Sequence, residues 1–331
     1  MSKKISLTGI KPTGVPHLGN YLGAIKPALE MANSGEYEGY YFIADYHSLT
    51  TVHQTEILRE YIYDVAATWL ALGLDPEKVT LYQQSHIPEI MELNWILSCF
   101  TAKGLMNRAH VYKALTHNNE VDQRDIDHGV NMGIYTYPIL MSADILFLQS
   151  DIVPVGSDQL QHIEIARDIA SSFNHVYGEV FTLPEGKAQE GDLIPGLDGR
   201  KMSKSYDNHI PLFLPEKKLR KKINKIATDS SDPEVPKDPN DSVVFDFYKL
   251  FANDSQIKEL DAWYRRGIGW GEAKLELFNV INAHLKEPRE KYNELISDKS
   301  KIDSILKEGA ERVRPKASEF LKEVKKAVGV L

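Results

Sequence analysis

Apolar residues alternate between short continuous runs and stripes of helical period through the first half of the chain. Ile5-Ser6-Leu7-Thr8 reads as a short buried strand, Gly39-Tyr40-Tyr41-Phe42-Ile43-Ala44 as a second, and Val79-Thr80-Leu81-Tyr82 as a third. Between them, Leu22, Ile25 and Leu29 mark a helix that begins near Gly19, with Pro27 expected to kink it or lie near its end. Residues 54–72 carry a second helical stripe, closed by Gly73 as a C-cap. Asp151-Ile152-Val153-Pro154-Val155 is a further strand that feeds a helix running to about Ser172. This strand–helix order predicts a parallel sheet covered by helices, with ligands at the carboxyl ends of the strands. Residues 103–127 are polar and weakly periodic and read as an insertion between the halves of the sheet. After residue 206 the strand signals stop. Residues 243–285 and 300–329 are helical by periodicity, so 207–331 reads as an all-helical second domain beside an α/β domain of residues 1–206.

Composition narrows the class. The 331 residues are 42% hydrophobic and 26% charged, as in a soluble globular protein. One cysteine, Cys99, excludes an intramolecular disulfide and a multi-cysteine zinc site. It lies in the apolar run Trp95-Ile96-Leu97-Ser98-Cys99-Phe100 and is expected to be buried. No run has transmembrane length, and the apolar stretch after Met1-Ser2-Lys3-Lys4 is too brief for a signal-peptide core, so a cytoplasmic address is expected. Net charge is −8, yet residues 200–225 hold nine Lys/Arg against Asp207 and Glu216. The segment opens with Lys201-Met202-Ser203-Lys204-Ser205. It continues into a helix started by Pro215, with Leu219, Ile223 and Ile226 on one face and lysines around the rest. Those lysines are either a solvated surface or a contact for a polyanion.

Two stretches carry candidate phosphate chemistry. Lys201-Met202-Ser203-Lys204-Ser205 puts two ammonium groups and two hydroxyls on a loop turned by Asp198-Gly199, a set suited to a departing polyphosphate. Gly9-Ile10-Lys11-Pro12-Thr13-Gly14 joins the first strand to His17-Leu18-Gly19-Asn20 at a helix start, and strand, glycine loop and helix N-terminus together form an anion site. Gly19 lets a nucleotide pack on bare backbone. A third stretch, residues 135–146, places Tyr137, Met141 and Asp144 at i, i+4 and i+7 on one helical face, with Pro138 expected in the first turn. An aromatic ring, a thioether and a carboxylate in line suit a large ring with one N–H donor, such as indole.

These motifs resemble the class I aminoacyl-tRNA synthetases. The Lys201–Ser205 string is that family's second motif letter for letter. His17-Leu18-Gly19-Asn20 is similar to its His-Ile-Gly-His, with Asn20 in place of the second histidine. That departure and the loop before it look like the tryptophanyl branch, many members of which have Gln where this chain has Lys11. Residues 135–146 resemble the amino-acid-selecting helix of the tyrosyl and tryptophanyl enzymes; the tyrosyl pattern has Gln at Met141. Val153-Pro154-Val155-Gly156-Ser157-Asp158-Gln159 again resembles the tryptophanyl branch.

The resemblance implies a Rossmann-like catalytic domain and a helical domain that meets the tRNA anticodon region. It implies tryptophan activation by ATP with Mg²⁺ on the phosphates, transfer to tRNA(Trp), and a homodimer. His17, Asn20, Lys201 and Lys204 would do the charge work. Lys11, Pro12, Thr13 and Gly19 would contact ATP from the N-terminal side. Gly156, Ser157 and Asp158 would take its ribose, Ile194 its adenine, and Met202, Ser203 and Ser205 would complete the lysine loop. His47, Tyr137, Met141, Asp144 and Gln159 would hold tryptophan. A tyrosyl-tRNA synthetase, or a nucleotidyltransferase of the H-x-G-H type, is the alternative.

Overall fold

A computed structural model describes residues 3–156, 159–188 and 194–331. Five parallel strands form one sheet in the order β3-β2-β1-β4-β5: β1 Lys4–Ile10, β2 Tyr37–Ile43, β3 Thr80–Gln83, β4 Ile152–Val155 and β5 Glu185–Ala188. Four of these follow the apolar runs. Parallel strands covered on both faces must be apolar on both, and β2 shows it: Tyr40 and Phe42 enter the core on one face, Tyr41 and Ile43 the core on the other. β5 was not expected. Its sequence Glu-Gly-Lys-Ala has no apolar pattern because, unlike the other edge strand β3, it is largely exposed. Chain order reverses about β1, which has β2 on one side and β4 on the other. A ligand crevice belongs at the carboxyl ends of β1 and β4.

Several helices depart from their sequence reading. The first runs through Leu18–Asn20, Tyr21–Ile25 and Lys26–Ser34. Pro27 does not end it. The middle segment is a π-turn closed by Lys26 N–H on the Tyr21 carbonyl, and the proline opens the α-segment after it, where its missing N–H matters least. The helix expected from Pro138 starts earlier, at Met132, with the Asn131 side chain capping Ile134 N–H at 2.9 Å. Pro138 is therefore an interior residue. Cys99 is exposed, not buried, and Trp95 on the same helix, Glu89–Ser98, is 72% exposed. That helix is apolar on more than one side, so composition did not reveal which side faces the core. The insertion between β3 and β4 holds the helices Lys103–Met106 and His110–Val121.

The helices after residue 206 share cores with the sheet. Leu219, Ile223, Phe247, Leu277 and Ile302 join Tyr41, Ile43 and Leu81 in one cluster. The last helix, Ser300–Ala327, lies on β3. A Cβ at Gly309 would stand 1.8 Å from the Leu81 carbonyl oxygen, so only glycine permits this approach.

Candidate active site

A cavity of about 740 Å³ opens at the carboxyl ends of β1, β2 and β4. It is lined at one end by Lys11, Thr13, Asn20 and Lys204, and at the other by His47, Tyr137, Met141 and Asp144, with Gly156 and Gln159 also on its wall. Of the other expected site residues, Pro12, His17, Gly19, Ile194, Lys201, Met202, Ser203 and Ser205 lie outside this lining. Pro12 is buried, and its carbonyl accepts from Ser48 Oγ at 2.9 Å. Ile194 is 7% exposed, packed in the core. Ser157 and Asp158 fall outside the described residues.

The phosphate end is built on a capping box. His17 Nδ1 accepts from Asn20 N–H at 3.2 Å, and Asn20 Oδ1 accepts from His17 N–H at 3.0 Å. Because Nδ1 accepts, the proton of the neutral ring sits on Nε2. Burial, with His209 and Lys204 nearby, pushes the His17 pKa down to about 4, so the ring is neutral at physiological pH. It can act there as a hydrogen-bond donor without being a cation.

The lysine loop folds against this box. Gly19 N–H meets Met202 Sδ at 3.2 Å, Met202 N–H donates to the Ile194 carbonyl at 2.9 Å, and Lys204 Nζ donates to the Thr13 carbonyl at 3.1 Å. Partial loss of water lowers the Lys204 pKa, while Asp64 opposes the shift. Lys201 is exposed. The loop is held by a residue that sequence reasoning missed. Asn208, 3% exposed, accepts from Ser203 N–H at 2.8 Å and donates to Asp198 Oδ1 at 2.7 Å and the Lys201 carbonyl at 3.1 Å. A lone asparagine after the motif gave no signal. Lys11, half-buried, donates to Thr50 Oγ1 at 3.0 Å, and desolvation lowers its pKa.

At the other end Asp144 is 1% exposed. His47 Nε2 lies 2.9 Å from its Oδ2, and Gln84 Nε2 donates to Oδ1 at 2.8 Å and to Oδ2 at 2.9 Å. Burial raises the Asp144 pKa, and the bonds from His47 and Gln84 oppose that rise. Tyr137 hydroxyl bonds His162 Nε2, and burial pushes the Tyr137 pKa to about 12. Gln84 too was missed: a single glutamine after β3 carries no pattern. The insertion supplies Val111 and Leu115 to the cavity wall, and Gln161 ties it down by accepting from His110 N–H at 2.8 Å.

The chain matches the family described as tRNA synthetases class I (W and Y) over residues 2–286. A tryptophan–tRNA ligase of Neisseria meningitidis is 54% identical over 332 aligned residues, covering 100% of this chain and 99% of that protein. One from Pseudomonas aeruginosa is 49% identical, covering 98% of this chain and 73% of that protein. The tryptophanyl-tRNA synthetase of Campylobacter jejuni, solved with ADP and tryptophan, shares the fold with a TM-score of 0.91 at 43% identity, covering 98% of this chain and 99% of that one. With its lysine loop, capping box and buried carboxylate around one cleft, the chain belongs to the class I aminoacyl-tRNA synthetases, in the tryptophanyl-tRNA synthetase family.

Proposed function

We infer that the chain is a tryptophan–tRNA ligase: it joins tryptophan to ATP, releasing pyrophosphate, and passes the aminoacyl group to the terminal ribose of tRNA(Trp). The observation that carries this is the single cleft with cations and amide donors at one end and a buried carboxylate beside an aromatic ring at the other. Tryptophan would lie with its ring between Tyr137 and Met141, its N–H on Asp144 and its amino group toward Gln159. ATP would lie over Gly19 and Gly156, with its phosphates reaching Asn20 and Lys204. The tryptophan carboxylate attacks the α-phosphorus, the bond to the bridging oxygen breaks, and pyrophosphate leaves with that electron pair. No side chain needs to form a covalent bond. Rate comes from alignment and from charge stabilisation on the α-phosphate and the leaving group. Neutral His17 and Asn20 donate hydrogen bonds, and Lys204, with Lys201 carried on the same loop, neutralises charge. Mg²⁺ would arrive on the ATP phosphates; among the described residues no group of three His, Cys, Asp or Glu could hold a metal ion. The test is tRNA charging with labelled tryptophan, which must require ATP and release AMP and pyrophosphate.

We also propose that residues 207–331 meet tRNA, that the protein is a homodimer, and that it works in the cytoplasm. Exposed Trp95, Val121 and Met132 on or near the insertion would be covered by a second copy. No described helix is long and apolar enough to cross a membrane. The helix Glu216–Ile223 buries Leu219 and Ile223, while Lys217, Lys218 and Lys221 are exposed. Lys222 is half-buried and lies 3.8 Å from Asp207. If the three exposed lysines face RNA, changing them together to Glu lowers tRNA charging and flattens its salt dependence, with adenylate formation intact. Unchanged charging kinetics would make this helix a solvated surface.

A further inference from the structure

We propose that Gln84 is a positioning residue that fixes Asp144 as an ionised, acceptor-only carboxylate, and thereby makes the cleft select a ring that donates a hydrogen bond. The proposal deepens the tryptophan reading and rests on it. Gln84 follows β3 directly and is 0% exposed. Its amide has only one possible orientation. Tyr46 N–H lies 3.1 Å from Oε1, and a backbone N–H can only donate. Turning the amide over would set donor against donor at Tyr46 and oxygen against oxygen at Asp144. Gln84 therefore always presents N–H to the carboxylate, at 2.8 Å to Oδ1 and 2.9 Å to Oδ2.

This matters because the surroundings of Asp144 other than Gln84 and His47 favour its neutral form. Its burial favours the protonated form, as does the charge of Asp45, whose own carboxylate accepts from Gln83 Nε2 and Ser85 N–H. The Tyr82 phenol, buried close by, brings no positive charge. From its own helix Tyr137 lines the same cavity as Asp144 and is also an uncharged phenol. His47 is the remaining partner, at Oδ2. A protonated Asp144 would turn a donor toward the indole N–H. An ionised Asp144 can only accept, so His47 must carry its proton on Nε2; Oδ2 then accepts twice and Oδ1 once, and Oδ1 keeps a lone pair for the ring.

Two substitutions give pH limbs of opposite sign. Gln84→Met removes the donor. The Asp144 pKa rises further, so kcat/KM for tryptophan in pyrophosphate exchange falls as pH is lowered and recovers as pH is raised. Gln84→Glu keeps an oxygen for Tyr46 N–H but sets two carboxyls together. They share one proton, the introduced carboxyl donates to Asp144, and activity holds at low pH and falls as pH rises and that proton leaves. Each variant at its unfavourable pH is expected to lose roughly tenfold to hundredfold, the scale of one hydrogen bond to a charged group. A purely structural role would lower activity equally across pH and give no crossing of the two profiles. Parallel profiles from folded variants would overturn the proposal, as would a Gln84→Met profile that matches the wild type. Wild-type protein that fails to activate tryptophan would instead sink the tryptophan reading itself. Circular dichroism at each pH separates loss of fold from loss of the carboxylate's charge.

Discussion

Asp144→Ala is expected to erase the protein's discrimination between tryptophan and its sulfur analogue benzothienylalanine. The analogue keeps the bicyclic shape and replaces the ring N–H by sulfur. In the wild type it would leave a buried carboxylate, 1% exposed, facing a group that cannot donate. Sites built around such a bond reject a ligand lacking it by roughly 10⁴-fold or more. Without the carboxylate the two ligands differ mainly in shape, and their kcat/KM values in pyrophosphate exchange should come within about tenfold, on the scale of a methylene in an apolar pocket. Tryptophan itself should lose about tenfold to hundredfold, one charge-assisted bond. Met141→Gln should not produce a good tyrosine enzyme, because the cavity that Tyr137 and Met141 line keeps its other walls and its volume of about 740 Å³. If Asp144→Ala treats both ligands as the wild type does, Asp144 does not read the ring.

Lys204→Ala is expected to lower the exchange rate by about a hundredfold or more while leaving tryptophan affinity nearly unchanged. Lys204 lines the cleft and rests on the Thr13 carbonyl at 3.1 Å, a neutral acceptor it can leave for a phosphate. Its charge is needed as pyrophosphate departs, so its loss falls on kcat. Removing one such stabilising donor costs about 3 kcal/mol. The tryptophan end, held by His47, Gln84 and Tyr137, does not touch Lys204, so ligand titration by fluorescence should report a near-normal Kd. Lys201 is exposed and off the cleft wall in this structure, so Lys204 is assigned the larger share of the resting charge. A variant with near-normal exchange would remove Lys204 from the transition state.

What the sequence revealed follows its physics. β1 to β4 were legible because parallel strands buried on both faces must be apolar runs. β5 was not, because its largely exposed Glu-Gly-Lys-Ala packs on its neighbouring helix only through Gly186, which carries no apolar side chain to read. The candidate site was legible where chemistry is concentrated in short motifs. Lys11, Thr13, Asn20, His47, Tyr137, Met141, Asp144, Gly156, Gln159 and Lys204 were all expected from local strings, and the fold brings them to one cavity. Gln84 and Asn208 were illegible for the converse reason. Gln84 acts on Asp144, sixty positions later, and Asn208 acts through backbone groups of the lysine loop. Neither pairing exists until the chain is folded. Pro138 misled because proline is favoured in a first turn, yet here the Asn131 cap starts the helix six residues earlier. Cys99 misled because an apolar run on a helix does not say which side is covered.

The most direct test of the central claim is pyrophosphate exchange by the wild-type protein with each of the twenty amino acids at saturating ATP. The cleft described here, with Asp144 held as an acceptor beside Tyr137 and Met141, predicts that tryptophan alone supports rapid exchange and that tyrosine is slower by orders of magnitude. Exchange that is fastest with tyrosine, or that proceeds equally well with no amino acid added, would contradict it.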